Sequence, residues 1–246
     1  MLRAVQALKL PPSALVLDLA SGPGEPALTI AAALPQLRVV STDVSPDMVS
    51  QAAGKAAGMG NLTAQVADSQ DLSAFADDSV DVVTCCYGFM FPAEKVKALA
   101  EARRVLKPGG MLIATYWTRM RLLQLAGAIM GGALGGPAPP PPANMNPLSL
   151  REAGALNALC AEAGFAAPPV SVTSEYPFDM GADAEFQFKC ATLVFREKLE
   201  AVDPAPHPKA RAAFEACKGS FLERDPEGGE GMVVTGNEFV MATLVK

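Results

Sequence analysis

The sequence predicts an α/β fold built on a mostly parallel sheet, and three observations carry that expectation. Short apolar runs alternate with helix-patterned runs through the first half of the chain. A glycine turn, "GPGEPA" at residues 22–27, joins the first such pair. Half of the 246 residues are hydrophobic, enough for a substantial core in one domain carrying a lid or an insertion.

Taken in order, residues 14–19 read as a buried strand and residues 26–33 as a helix with Pro26 in its first turn. A second strand is expected over 37–42. Ser45 then suits the N-cap of a helix whose first residue is Pro46. Strands three and four fall at 62–66 and 80–86. Val96, Leu99, Ala102 and Leu106 recur at helical spacing, and "KPGG" is expected to end that helix before a fifth strand at 111–116. Strands separated by helices imply right-handed crossovers, and ligands of such sheets sit at the carboxyl ends of the strands.

Beyond residue 117 the pattern changes. Residues 122–134 form an apolar stretch of only 13 residues containing Gln124 and several glycines, too short to span a bilayer. Residues 131–147, "GGALGGPAPPPPANMNP", read as a Gly/Pro insertion. A helix is expected over 150–163, ending at Gly164, with strands at 170–176 and 232–245 and helical stretches at 183–200 and 208–223. No internal repeat is visible.

A net charge of −6 and a pI near 4.9, with scattered basic residues, argue against nucleic-acid binding, which needs clustered Lys and Arg. Cys85, Cys86, Cys160, Cys190 and Cys217 are odd in number and lack CxxC spacing. Neither a disulfide framework nor a zinc site is suggested, and reduced cytoplasmic thiols fit better. The N-terminal residues run into the first strand without the cleavage signature of a signal peptide.

The glycine turn carries the functional information. "GPGEPA" fits GxGxxA, and Asp43 closes the second strand 19 positions after Gly24, where a ribose-binding acid belongs. That pattern alone serves a nicotinamide dinucleotide or any other adenosine-bearing ligand. Asp18 before the turn and Glu25 within it would oppose a pyrophosphate at the helix N-terminus, whereas both would attract a ligand carrying an ammonium and a sulfonium. The plainer alternative is that the two carboxylates only order the turn and cap the helix. Asp68 follows the third strand, where a carboxylate can accept a hydrogen bond from an adenine amino group, and Ser69 and Gln70 offer further polar contacts.

With these residues in hand, the chain resembles a class I S-adenosylmethionine-dependent methyltransferase, of the broad small-molecule group that includes ubiquinone and menaquinone biosynthesis enzymes. The resemblance rests on "VLDLASGPGEPALTIA", "VVSTDVSPDMV", "VADSQDL", "SVDVVTCCYGFMF" and "EARRVLKPGGMLIATYW", in that order. It implies a Rossmann-like fold with a mostly parallel seven-stranded sheet whose last strand is antiparallel, with helices on both faces. S-adenosylmethionine is the implied cofactor. Residues 1–117 would form the cofactor-binding half of a single domain, and residues 118–246 the substrate or lid half.

Residue by residue, the resemblance puts Ala20, Ser21, Gly22 and Gly24 around the methionine moiety, with Asp18 supporting its ammonium. Asp43 would hold the ribose hydroxyls beside Val44 and Met48. Asp68 and Ser69 would face the adenine, and Cys86 and Tyr87 the sulfonium. No catalytic residue and no metal ligand is assigned. His207 in "DPAPHPK" reads as part of a surface loop, while Tyr87, Tyr116 and Trp117 suit either an acceptor pocket or the core. The acceptor is expected to be a small, apolar molecule, with residues 122–134 as an apolar cover over it, no stable membrane insertion and no oligomeric state indicated. An NAD(P)-dependent oxidoreductase, an aminopropyltransferase and a non-catalytic methyltransferase-like partner subunit are the competing readings.

Overall fold

The computed structural model describes residues 1–140, 146–226 and 229–246. Part of the expected Gly/Pro insertion, residues 141–145, lies outside the described residues. The chain forms two compact units. One comprises Met1–Tyr116, Ala143–Thr173 and Val240–Lys246, and the other Trp117–Pro142 and Ser174–Phe239.

The first unit is organised by a seven-stranded sheet. A short helix α1 (Leu2–Ala7) precedes β1 (Leu15–Asp18), α2 (Ala27–Ala33), β2 (Arg38–Asp43), α3 (Pro46–Lys55) and β3 (Leu62–Val66). Then follow β4 (Val80–Cys86), α4 (Lys95–Val105) and β5 (Leu106–Arg119), and later α6 (Ala155–Glu162), β6 (Val170–Glu175) and β10 (Glu238–Val245). The strand order is β3-β2-β1-β4-β5-β10-β6, with the last strand in the chain antiparallel to the six others. β1 lies parallel between β2 and β4, with Asp18 opposite Ser41 on one side and Thr84 on the other. Val16, Val39, Val82 and Ile113 on the strands bury against Ile30 and Ala31 of α2 and Val5 of α1. Strands flanked on both faces are apolar throughout, which explains why β1 and β4 read as continuous hydrophobic runs.

Ser45 caps α3 by accepting the Met48 amide, with Pro46 at the first position. "KPGG" does not form a separating loop: β5 starts at Leu106, directly after α4. Leu106 pairs with Val80 and Met111 with Val82, so β5 advances by 111 − 106 = 5 residues while β4 advances by 82 − 80 = 2, and the excess bulges outward. Gly110 permits it, since a Cβ there would lie 2.9 Å from the Lys107 carbonyl oxygen and 3.0 Å from that of Asp81. Lys107 then turns back to donate to both Asp81 carboxylate oxygens at 2.8 Å. α6 begins at Ala155 rather than 150, after Gly154 in the left-handed region.

The second unit contains α5 (Arg121–Leu134), β7 (Phe178–Asp179), α7 (Ala184–Thr192), α8 (Arg196–Val202), α9 (Pro208–Cys217), β8 (Leu222–Arg224) and β9 (Met232–Val234). Leu125, Ile129 and Met130 of α5 bury against Phe188 of α7, Leu199 of α8 and Phe214 of α9. The helical stretch expected over 183–200 is broken into α7 and α8 by a 3-10 turn at Leu193–Phe195. The stretch expected over 208–223 ends at Cys217 and yields β8 instead of more helix. The single strand expected over 232–245 is two strands in two sheets: β9 joins β7 and β8 in a small antiparallel sheet, Gly236 at φ 68° turns the chain, and β10 enters the large sheet.

Candidate functional site

The turn after β1 is assembled by side chains from three strands. Asp18 is fully buried; its Oδ1 accepts the Thr84 hydroxyl at 2.6 Å and its Oδ2 the Ala27 amide at 3.2 Å. Burial raises its pKa to about 7, and nearby Glu25 raises it too, while the bonds from Thr84 and Ala27 oppose the shift. Ser21 is buried, its hydroxyl 2.5 Å from that of Ser41. Gly22 and Gly24 hold φ of 53° and 110°, so the chain doubles back where a side chain would be strained. A Cβ on Gly24 would also lie 2.7 Å from Leu28 Cδ1 and 3.2 Å from the Ala52 Cβ.

Asp43, at the end of β2, pins this turn from the other side. Its Oδ2 accepts the Gly22 amide at 2.8 Å and its Oδ1 the Ser45 amide at 2.9 Å. A carboxylate offers roughly four lone-pair sites, so about one remains on each oxygen. After β3, Asp68 Oδ1 accepts the Gln70 backbone amide at 2.8 Å, and the Gln70 side-chain amide donates to both carboxylate oxygens at 3.1 Å. At the end of β4, Tyr87 takes φ 56° and donates its amide to Thr115. Ala20, at the end of β1, takes φ 51°. Two non-glycine residues in the left-handed region on adjacent strand ends mark strain concentrated at one place. Gly88 lets those ends approach, since its Cβ would lie 2.5 Å from Cys85 Sγ and 2.7 Å from the Ala20 Cβ.

These strand ends surround a cavity of about 450 Å³. Of the twelve residues expected at the site, Ala20, Asp43, Val44, Asp68, Ser69 and Tyr87 line it. Asp18, Ser21, Gly22, Gly24, Met48 and Cys86 do not. Asp18 and Ser21 are sealed beneath the turn, Gly24 is covered by Leu28, Gly22 turns its amide to Asp43, Met48 sits in the first turn of α3, and the Cys86 thiol accepts from Thr115. Gly88, Phe91, Pro92 and Ala93 also line the cavity; the first three fall in the run "CCYGFMFP", whose sequence suits either core packing or a pocket for an apolar acceptor. Their signal was faint: "GFMFPA" carries no charge or hydrogen-bonding side chain, and its apolar run reads equally well as core. Val44 at 66% exposed and Phe91 at 41% give the cavity apolar surfaces open to solvent.

The other candidates resolve differently. Burial pushes both the Cys85 and Cys86 thiols up in pKa, so neither forms a ready thiolate. His207 ends an exposed loop at residues 204–206 and is itself half-buried at the N-cap of α9, with Nδ1 against the Asp203 carbonyl and its ring near Phe188. Trp117 packs against Tyr176, Phe178 and Phe239. Residues 122–134 fall in α5, whose apolar face is core of the second unit. Among the described residues, no group of three or more His, Cys, Asp or Glu could hold a metal ion.

Residues 16–110 match the family model described as a methyltransferase domain. The match covers less than half of the chain, and in fold and strand-end acids this part resembles a class I S-adenosylmethionine-dependent methyltransferase domain. Among curated relatives, the chain is 36% identical over 124 residues to the ubiquinone/menaquinone biosynthesis C-methyltransferase UbiE of Geotalea daltonii, covering 49% of this chain and 52% of that protein. It is 38% identical over 99 residues to the demethylmenaquinone methyltransferase of Deinococcus radiodurans, covering 40% and 41%. The matches thus span about half or less of those relatives' lengths. Among solved structures, the YcgJ protein of Bacillus subtilis is similar in fold at a TM-score of 0.60 and 18% identity, covering 99% of this chain and 96% of that one.

Proposed function

We propose that this protein transfers the methyl group of S-adenosylmethionine to a small, apolar acceptor. The observation that carries the reading is the cavity itself: a site of about 450 Å³ at the carboxyl ends of β1 to β4, with a carboxylate on each of two strand ends and exposed apolar surfaces between them. The cofactor fits its residues. Asp43 keeps about one lone pair per oxygen, a match for two vicinal ribose hydroxyls, and Asp68 keeps acceptor capacity for an amino group. Val44 supplies an exposed apolar face for a purine ring. No side chain lining the cavity is basic, which suits a cationic ligand and suits a pyrophosphate poorly.

When bound, S-adenosylmethionine supplies an electrophilic methyl group on a sulfonium, a good leaving group. The chain's residues then have to orient and desolvate rather than activate. Asp18, Ser21, Gly22, Gly24, Met48 and Cys86 act by shaping the turn and strand ends, and Ala20, Asp43, Val44, Asp68, Ser69 and Tyr87 by contact. The quinone biosynthesis activities in the relatives' names support an apolar ring as acceptor. The free thiols and the absence, among described residues, of any helix long and apolar enough to cross a membrane support a cytoplasmic site of action.

Asp43→Ala tests the cofactor reading. Removing its ribose grip should weaken S-adenosylmethionine binding by about 1.5 to 3 kcal/mol, roughly tenfold to a hundredfold, in a variant that stays folded. Calorimetry showing unchanged affinity would remove Asp43 from the site. A screen with labelled cofactor tests the acceptor, and methylation of peptides or RNA alone would overturn the small-molecule reading.

A further inference from the structure

Gln70, which lines the cavity, stands out because both ends of its amide are engaged, one by Asp68 after β3 and the other by the residue that precedes α4. Its Nε2 donates to Asp68 Oδ1 and Oδ2 at 3.1 Å each, and its Oε1 accepts the Glu94 amide at 2.8 Å. Glu94 immediately follows the lining residues Phe91, Pro92 and Ala93 and is the N-cap residue of α4, with no side-chain cap of its own. The two partners fix the amide orientation, since the oxygen must meet an N–H and the nitrogen a carboxylate. Counting lone pairs on Asp68, Oδ1 holds two donors, the Gln70 backbone and side-chain N–H groups, and Oδ2 holds one. One acceptor position is therefore left open, on Oδ2.

We propose that Gln70 is a positioning residue that makes the site selective for a 6-aminopurine, by holding Asp68 with a single free lone pair on Oδ2 and by tying that carboxylate to the wall formed by Phe91, Pro92 and Ala93. The inference rests on the reading of Asp68 as the adenine-facing acid. A 6-amino group donates to the open position. A 6-oxo purine presents an acceptor there, which meets the carboxylate's negative charge and is rejected. Without the Gln70 side-chain donors, Asp68 keeps only the residue-70 backbone N–H on Oδ1, and the direction of the Oδ2 lone pair is no longer fixed.

The test compares binding of S-adenosylhomocysteine and S-inosylhomocysteine by calorimetry in the wild type, Asp68→Ala, Gln70→Ala and Gln70→Glu, with thermal melting to establish that each is folded. Gln70→Glu retains an acceptor for the Glu94 amide and loses both side-chain contacts to Asp68 while keeping the backbone one, so it separates selectivity from simple support of α4. The expected result is that both Gln70 variants lose about tenfold in preference for the 6-amino ligand, with the loss falling on S-adenosylhomocysteine. Undiminished preference in folded Gln70→Glu overturns the proposal. If Asp68→Ala loses its preference while both Gln70 variants keep theirs, only the role of Gln70 falls. If Asp68→Ala keeps the preference, the adenine-acid reading falls and the proposal with it.

Discussion

Asp18 makes a measurable difference through its proton. Its folded pKa of about 7 lies well above the usual carboxylate value of 3.8, with burial as the largest cause. The folded state therefore binds more protons than the unfolded state between those values. Stability contributed by Asp18 is fully present below pH 4 and is lost as pH rises toward 7, by up to about 4 kcal/mol. Asp18→Asn should flatten that part of the curve, read as the difference in denaturant midpoint between pH 4.5 and pH 7.5; an unchanged slope would show that the carboxyl is not desolvated. A cationic ligand in the nearby turn would favour the ionised form, so the ligand-bound protein should show a shallower slope than the free one. Asp43 and Asp68 were legible as strand-end acids from spacing alone. The burial of Asp18 was not, because its sealing depends on Thr84, 66 residues away.

At the scale of elements, the strand ends of β1 and β4 are where small substitutions should cost most. Gly88→Ala would force Cys85 Sγ and the Ala20 Cβ apart, at about 1 to 3 kcal/mol of overpacking. A lower melting temperature together with weakened ligand binding is the expected pair of readouts; unchanged binding would mean that the approach of these ends does not shape the cavity. Gly24→Val reaches Leu28 of α2 and Ala52 of α3, so stability and binding should fall together, in contrast to a residue acting on ligand alone. β1 to β4 were readable because buried parallel strands are short apolar runs and their helices carry caps such as Ser45. The helix breaks near Leu193 and Lys218, the strands β7 and β8, and the separation of β9 from β10 were not. Strands of two or three residues contain too few side chains to show a period of two, and they form only by pairing with partners distant in sequence.

For the molecule as a whole, each unit has its own core and the cavity described here belongs to the first. Ile129 is fully buried in the second unit. Ile129→Ala should destabilise that unit by about 2 to 5 kcal/mol through lost burial and the cavity left behind. Every residue lining the 450 Å³ cavity lies in the first unit, so S-adenosylmethionine affinity should stay within a few-fold. Calorimetry at a temperature where the variant remains folded checks this, and a large loss of affinity would show that the second unit contributes to the cofactor site. The two-unit division was hidden from a linear reading because residues 143–173 and 240–246 return to the first unit after the chain has left it.

The strand order has a consequence for vectorial synthesis. β10 lies between β5 and β6, although both precede it in the chain. Until residues 238–245 leave the ribosome, β5 ends the growing sheet with an unsatisfied ladder, and β6, already made, has no neighbour to join. A nascent chain stalled before that point holds a finished glycine turn and finished strand-end acids beside an open edge, the feature most prone to pairing with another chain. Recognition of the cofactor by the emerging polypeptide can thus precede closure of the sheet, and the interval between the two is when a holdase would have most to protect.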